Sequence, residues 1–147
     1  MIDIDPVGER LFVQSVTVSL SSAQLLALNT TPVTIVPAPG VGKYTLVLGA
    51  SYELIYGSAA YSNLDTPGLF YGSVNFSIAY VIDAGNAPGV FGQSGNAVGR
   101  GVVNLSEGAV SPRSVVENTA VVFGDDEAWT NGDGTGSITV FYVTLTL

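Results

Sequence analysis

The sequence contains no cysteine and no histidine. The first absence removes disulfides, thiolate metal sites and thiol nucleophiles, and leaves the redox compartment unmarked. The second removes the commonest general base and the commonest metal ligand. Charge is scarce too: 11% of residues are charged, against about 25% in an average soluble domain. With 47% hydrophobic residues, either much of the surface is Ser, Thr, Asn and Gly or another chain covers part of the apolar surface, and both are expected.

The four basic residues, Arg10, Lys43, Arg100 and Arg113, are scattered through a chain of net charge −8. That argues against nucleic acid as a partner, because phosphate neutralisation needs clustered Lys and Arg. The opening "MIDIDPVGER" is acidic where a secretory n-region is basic, and no apolar run follows it. No apolar stretch is long enough to cross a bilayer, so synthesis in the cytoplasm and no membrane partner are expected.

At 147 residues the chain is expected to form one domain that buries about 70% of its unfolded surface and needs no covalent staples. The expected division is an N-terminal arm over residues 1–9 and a single β-sandwich domain over 10–147. The arm is too weakly hydrophobic to form a core element. Its Ile2, Ile4, Pro6 and Val7 are candidates for ordering on a partner's surface.

Hydrophobic periodicity supplies the strands. From Arg10 to Leu20, Phe12, Val16, Val18 and Leu20 alternate with Ser15, Thr17 and Ser19. "SSAQLLALN" then has a Ser N-cap and leucines at helical offsets, which predicts one short helical segment. Val33–Val36 resumes a strand. In "YTLVLGASYELIY" the even positions from Tyr44 to Tyr56 are predicted to line one face. "LFYGSVNFSIAYVI" is predicted as a second long strand, a neighbour of the first, with Phe70, Val74, Phe76, Ile78, Tyr80 and Ile82 inside. Residues 83–99 form a long Gly- and Asn-rich loop, and shorter strands are expected at 101–105 and 115–123. The last strand, "SITVFYVTLTL", is apolar on both faces: Ile138, Val140 and Tyr142 on one, Phe141, Val143, Leu145 and Leu147 on the other. Such a strand belongs in the middle of a sandwich or at a subunit contact. The fold class expected is all-β, an antiparallel β-sandwich of jelly-roll type with one short helical segment, other sandwich topologies being the alternative.

Between two of these strands lies "PAPGVGK". A phosphate-binding loop needs Gly five positions before its Gly-Lys pair and Ser or Thr after the Lys. Here those positions hold Pro37 and Tyr44, so the stretch is instead a rigid corner shaped by Pro37, Pro39, Gly40 and Gly42.

With His and Cys absent, catalysis would fall to carboxylates, and no spacing selects a pair, so an enzyme is not expected. The loop "GDDEAWTNGDGTG" offers Asp125, Asp126, Glu127, Asn131 and Asp133 as hard oxygen ligands for calcium. An EF-hand would require Glu where Tyr142 stands, and the simpler expectation is a solvated hairpin tip turning at "NGDG". No cofactor or metal is expected. Trp129, in that loop, either packs back onto the sheet or anchors a partner. Together with Val143, Leu145 and Leu147 it completes the set of candidate contact residues.

"VTVSLSSAQLLALNTTPVTIVPAPGVGKYTLVLGAS" and the C-terminal "ENTAVVF" with "NGDGTGSITVFYVTL" resemble small tailed-phage virion proteins, including jelly-roll capsid decoration, or cement, proteins. The resemblance implies a homotrimer on the outer surface of the phage head that contacts the major capsid protein and stabilises the shell. It carries over no catalytic or ligand residue. The alternative it leaves is a fibre or tail-tip module that recognises host surface carbohydrate, for which Trp129, Tyr61, Tyr71 and the Gly/Asn loop are the candidate residues.

Overall fold

The structure, a computed structural model, describes residues 12–65, 67–74, 80–83, 89–103 and 113–147. The arm over 1–9, with Ile2, Ile4, Pro6 and Val7, lies outside the described residues. The elements are β1 (Gln14–Leu20), α1 (Ser22–Leu26), β2 (Val33–Val36), β3 (Lys43–Ile55), β4 (Gly68–Tyr71), β5 (Tyr80–Asp83), β6 (Ala97–Val103), α2 (Arg113–Val116), β7 (Val121–Gly124) and β8 (Thr135–Thr146).

All pairings are antiparallel, and the strand order is β1-β8-β3-β6-β5-β4-β7-β2. β6 belongs to two layers: Ala97–Gly101 pair with β3, whereas Val102 and Val103 pair with β5. The result is two antiparallel sheets, β1-β8-β3-β6 and β5-β4-β7-β2, in an all-β sandwich. Their inner faces meet where the Tyr52 ring lies 5.8 Å from Phe123 and where the Tyr71 hydroxyl donates to the Thr45 carbonyl at 2.6 Å. Leu20, Leu54, Ile138 and Val140 fill the core from one sheet, and Leu69, Phe70 and Val121 from the other.

The link from β1 to β2 carries the chain from one sheet to the other through α1. Ser21 and Gln24 form a reciprocal capping box there, satisfying two amides that would otherwise be orphaned. Leu25 and Leu28 then bury the segment against the core.

Four sequence expectations are corrected. The even positions of β3 do not share one face: Thr45 and Val47 point inward, then Ala50, Tyr52 and Leu54, while Leu46 and Leu48 are exposed. The cause is a bulge, since Val47 pairs with Tyr142 and Gly49 with Phe141, leaving Leu48 as the extra residue that inverts the alternation. The stretch 69–82 is not one strand but two antiparallel ones, β4 and β5, with Gly72 at φ +72° after β4. β3 does not pair with β4; its neighbours are β6 and β8. Finally, the strand expected at 115–123 begins only at Val121, after a second helical turn, α2.

Candidate interaction surface

The two ends of the sandwich are built differently. One gathers the start of β1, the corner 37–42, α2 and the end of β8. Gly40 and Gly42 adopt φ +104° and +74°, which an L side chain would resist. Their amides are held from across the chain: Gly40 N–H donates to Asn118 Oδ1 and Gly42 N–H to Glu117 Oε1, each at 2.9 Å. Arg113 pairs with the same Glu117 at 2.7 Å. That hydrogen bond, then the Gly42 amide, holds the Glu117 carboxyl below its ordinary range. The Leu147 amide closes the end by donating to the Gly42 carbonyl at 2.8 Å.

The opposite end holds the acidic loop, which is not the expected hairpin tip. It joins β7 in one sheet to β8 in the other; Asp125, Trp129, Gly132 and Gly134 are buried and anchor it, while Asp126, Glu127, Thr130, Asn131 and Asp133 stay exposed. Trp129 is 3% exposed, with its ring 5.6 Å from Tyr61 and 5.4 Å from Phe91. Its indole N–H donates to the buried Asp125 carboxylate at 2.6 Å. Trp129 is therefore withdrawn from the partner-contact set, because its ring packs on Tyr61 and Phe91 and its polar edge is used inside the domain. Asp133 accepts from the Ser58 amide, the Ser58 hydroxyl and the Ala59 amide at 2.7–2.9 Å. Those bonds, led by the Ala59 amide, lower its carboxyl.

Of the loop's candidate oxygen ligands, the Asp125 and Asp133 carboxylates are engaged in folding contacts. Asn131 donates to the Ser62 hydroxyl at 2.9 Å, and among the described residues no group of three or more carboxylates gathers where a metal ion could be held. Asp126 differs: desolvation, then the hydrogen bond and charge of Asp125, raise its carboxyl.

The sugar-stacking set expected for host recognition is buried as well. Tyr61 and Tyr71 are 3% and 9% exposed, and their hydroxyls donate at 2.6 Å to the Gly134 and Thr45 carbonyls. Burial, first of all, pushes both phenols up to about 12. A sugar has no ring face to stack on at any of the three aromatics.

What the molecule does expose is the outer face of the β1-β8-β3-β6 sheet, and it is divided. On β8 the outward residues are Thr135, Ser137 and Thr139, then Phe141, Val143 and Leu145. Ser19, Ser137 and Glu53 form one cross-strand row, extended by Val98. Thr17, Thr139 and Ser51 form the next, extended by Arg100. Thr17 and Thr139 share a hydrogen bond of 2.8 Å, and the Ser137 hydroxyl donates to Glu53 at 3.2 Å. Beyond the bulge the face turns apolar, with Leu46 opposite Val143 and Tyr44 opposite Leu145. Leu46, Leu48, Phe141 and Leu147 are exposed there, and Val41 stands 84% exposed at the adjoining corner, on the same end as exposed Phe12 and Val13.

Of the candidate contacts from the sequence, Leu147 is exposed, Leu145 is half-buried and Val143 is buried. Sequence reasoning missed Leu46, Leu48 and Val41. The bulge hid the first two, whose even positions placed them inside.

No family model matches the sequence, and no curated protein matches it. A solved structure described as "Capsid of Ralstonia phage GP4" is similar to 13% identity, over 100% of this chain and 92% of that one. The TM-score is 0.46, a likeness too slight to carry a role from one protein to the other.

Proposed function

We propose that this chain is a bacteriophage virion structural protein: a capsid decoration, or cement, protein that binds the outer surface of the head as a homotrimer and stabilises the shell against expansion. The observation that carries the proposal is the apolar half of the outer sheet face. Leu46, Leu48 and Leu147 are exposed there and adjoin Val41, Phe12 and Val13 at the same end of the sandwich. A charge-poor domain that leaves such a surface uncovered gains free energy when another chain covers it, at about 25 cal/mol per Å². Phe12, the first described residue, stands at this same end, where an arm would add to the contact.

The proposal includes a jelly-roll fold. Its support is the pairing of β1 with β8, β2 with β7, β3 with β6 and β4 with β5. That is the pattern of a long antiparallel hairpin wrapped round a core, as in a jelly roll. The role is mechanical and assigns no catalytic residue. The described carboxylates Asp125, Asp133, Glu117 and Glu53 each accept hydrogen bonds within the fold.

The test begins with mass in solution by light scattering over a range of concentrations, for the intact chain, for Leu46→Asp with Val41→Asp, and for a chain lacking Met1 to Glu9. A trimer that the double variant dissociates, and co-sedimentation with capsids that the variant or the truncation abolishes, are expected. Unchanged capsid attachment in both would overturn the proposal.

A further inference from the structure

We infer that the polar half of the same outer face, together with Phe141 at its boundary with the apolar half, is a binding site for a neutral polysaccharide, anchored in the cleft between Phe141, Ser51 and Arg100. This goes beyond the virion reading and does not depend on it.

The cleft is shallow, about 720 Å³, and its walls are Phe141 and Val98. Gly49, paired with Phe141, forms the floor; a side chain there would meet nothing within 4 Å, so backbone is open to close approach. Ser51 and Arg100 are cross-strand partners at its edge. Arg100 makes no ion pair with a described residue, unlike Arg113, and is exposed, so its guanidinium is open to a ligand's acceptors.

These groups match one ligand chemistry. A hexopyranose presents C–H groups on its ring face, which an exposed aromatic ring such as Phe141, 43% exposed, can cover. It presents hydroxyls at its rim, which Arg100 can donate to and Ser51 can both donate to and accept from. Beside the cleft the hydroxyls of Thr17, Thr139 and Ser137 continue for two more strands, about 4.8 Å apart, ending at α1. Glu53 lies within that array with one carboxylate oxygen engaged by Ser137 and the other available to a sugar hydroxyl. An extended chain thus meets polar partners over several units.

Charge selects between neutral and anionic polymers. The chain carries a net charge of −8, and Glu53 stands in the array itself. A uronic acid polymer is repelled at long range by the net charge and locally by Glu53, which offsets the attraction of Arg100. Carbohydrate recognition of this kind uses none of the three buried aromatics.

The experiment titrates the intact protein with maltohexaose, cellohexaose and laminarihexaose, and with hexagalacturonate as the anionic control, following backbone amide shifts by NMR. Saturable shifts centred on Ser51, Arg100 and Phe141 are expected with at least one neutral hexaose, and weaker ones with the anionic control. Phe141→Ala should weaken binding about tenfold, the equivalent of about 1.4 kcal/mol, and Arg100→Ala by a smaller factor, with melting temperature unchanged. The inference is overturned if no neutral hexaose gives saturable shifts up to about 10 mM, about tenfold above a millimolar dissociation constant, or if neither variant weakens it. It is also overturned if Phe141→Ala changes the mass of the assembly instead, since the cleft is then a protein interface. Loss of capsid attachment in Leu46→Asp with sugar binding intact separates this site from the proposed contact surface.

Discussion

The indole N–H of Trp129 donates to the Asp125 carboxylate over 2.6 Å, with both residues buried. The bond pins the loop that crosses from one sheet to the other, because Asp125 follows β7 directly and Trp129 packs on Tyr61 and Phe91. Asp125 also receives the Glu127 amide at 3.3 Å. Both of these contacts are made only while the loop is closed, whereas the Asp65 amide reaches Asp125 from outside it at 3.4 Å.

Trp129→Phe is expected to keep much of the ring packing and lose the N–H. A hydrogen bond to a charged group contributes about 1.5–3 kcal/mol, more when its partner stays buried. The urea midpoint should fall accordingly with the slope unchanged. An unshifted midpoint would show that water replaces the indole at no cost.

Gly132 is the tightest point of the same loop. A Cβ built there falls on the Tyr61 ring, whose hydroxyl is tied to the Gly134 carbonyl. Gly132→Ala should cost about 1–3 kcal/mol through forced displacement of that ring. Gly95, where a Cβ meets nothing within 4 Å, is the control: Gly95→Ala should stay within about 0.5 kcal/mol of the parent. Equal effects at the two sites would refute the packing argument.

These contacts explain what the sequence could and could not disclose. Strand β1, the capped α1 and the doubly apolar β8 were legible because each follows from local periodicity and capping chemistry. The face of Leu46 and Leu48 was not, because one bulged residue inverts a period-2 pattern and carries no sequence mark of its own. The reversal between β4 and β5 was hidden because the apolar alternation of the sequence continues past Gly72. Trp129 lies among acids, as an exposed anchor would. Only the chain's return to Asp125, Tyr61 and Phe91 makes it a core residue. The outer sheet face was half visible: the Ser and Thr of β1 alternate plainly, but their alignment with Ser51, Glu53 and Arg100 depends on register.

The corner offers a test that separates backbone strain from hydrogen bonding. Asn118 accepts the Gly40 amide through its side chain and itself adopts φ +51°. Asn118→Gly removes the acceptor but tolerates the backbone, at about 0.5–1.5 kcal/mol for the bond. Asn118→Ala adds the cost of a left-handed residue, about 1–2 kcal/mol more. Denaturation should therefore rank Ala as the more harmful change, and the Gly40 amide should exchange faster in both. Indistinguishable variants would mean that the strain is absorbed elsewhere.

Stability should depend on pH in two opposed ways. Asp133 and Glu117 have folded carboxyls below their ordinary values of 3.8 and 4.5. Their contribution is present above those values and is lost as pH falls through the depressed folded ones. Asp126 is raised above 3.8 by desolvation and by Asp125. The folded state therefore takes its proton more readily than the unfolded, and stability declines as pH rises from 3.8 through the raised value. The melting temperature should thus pass through a maximum on the acid side of neutrality. Asp126→Asn should flatten the upper limb and Asp133→Asn the lower. An upper limb that survives in Asp126→Asn would place the responsible proton on another group.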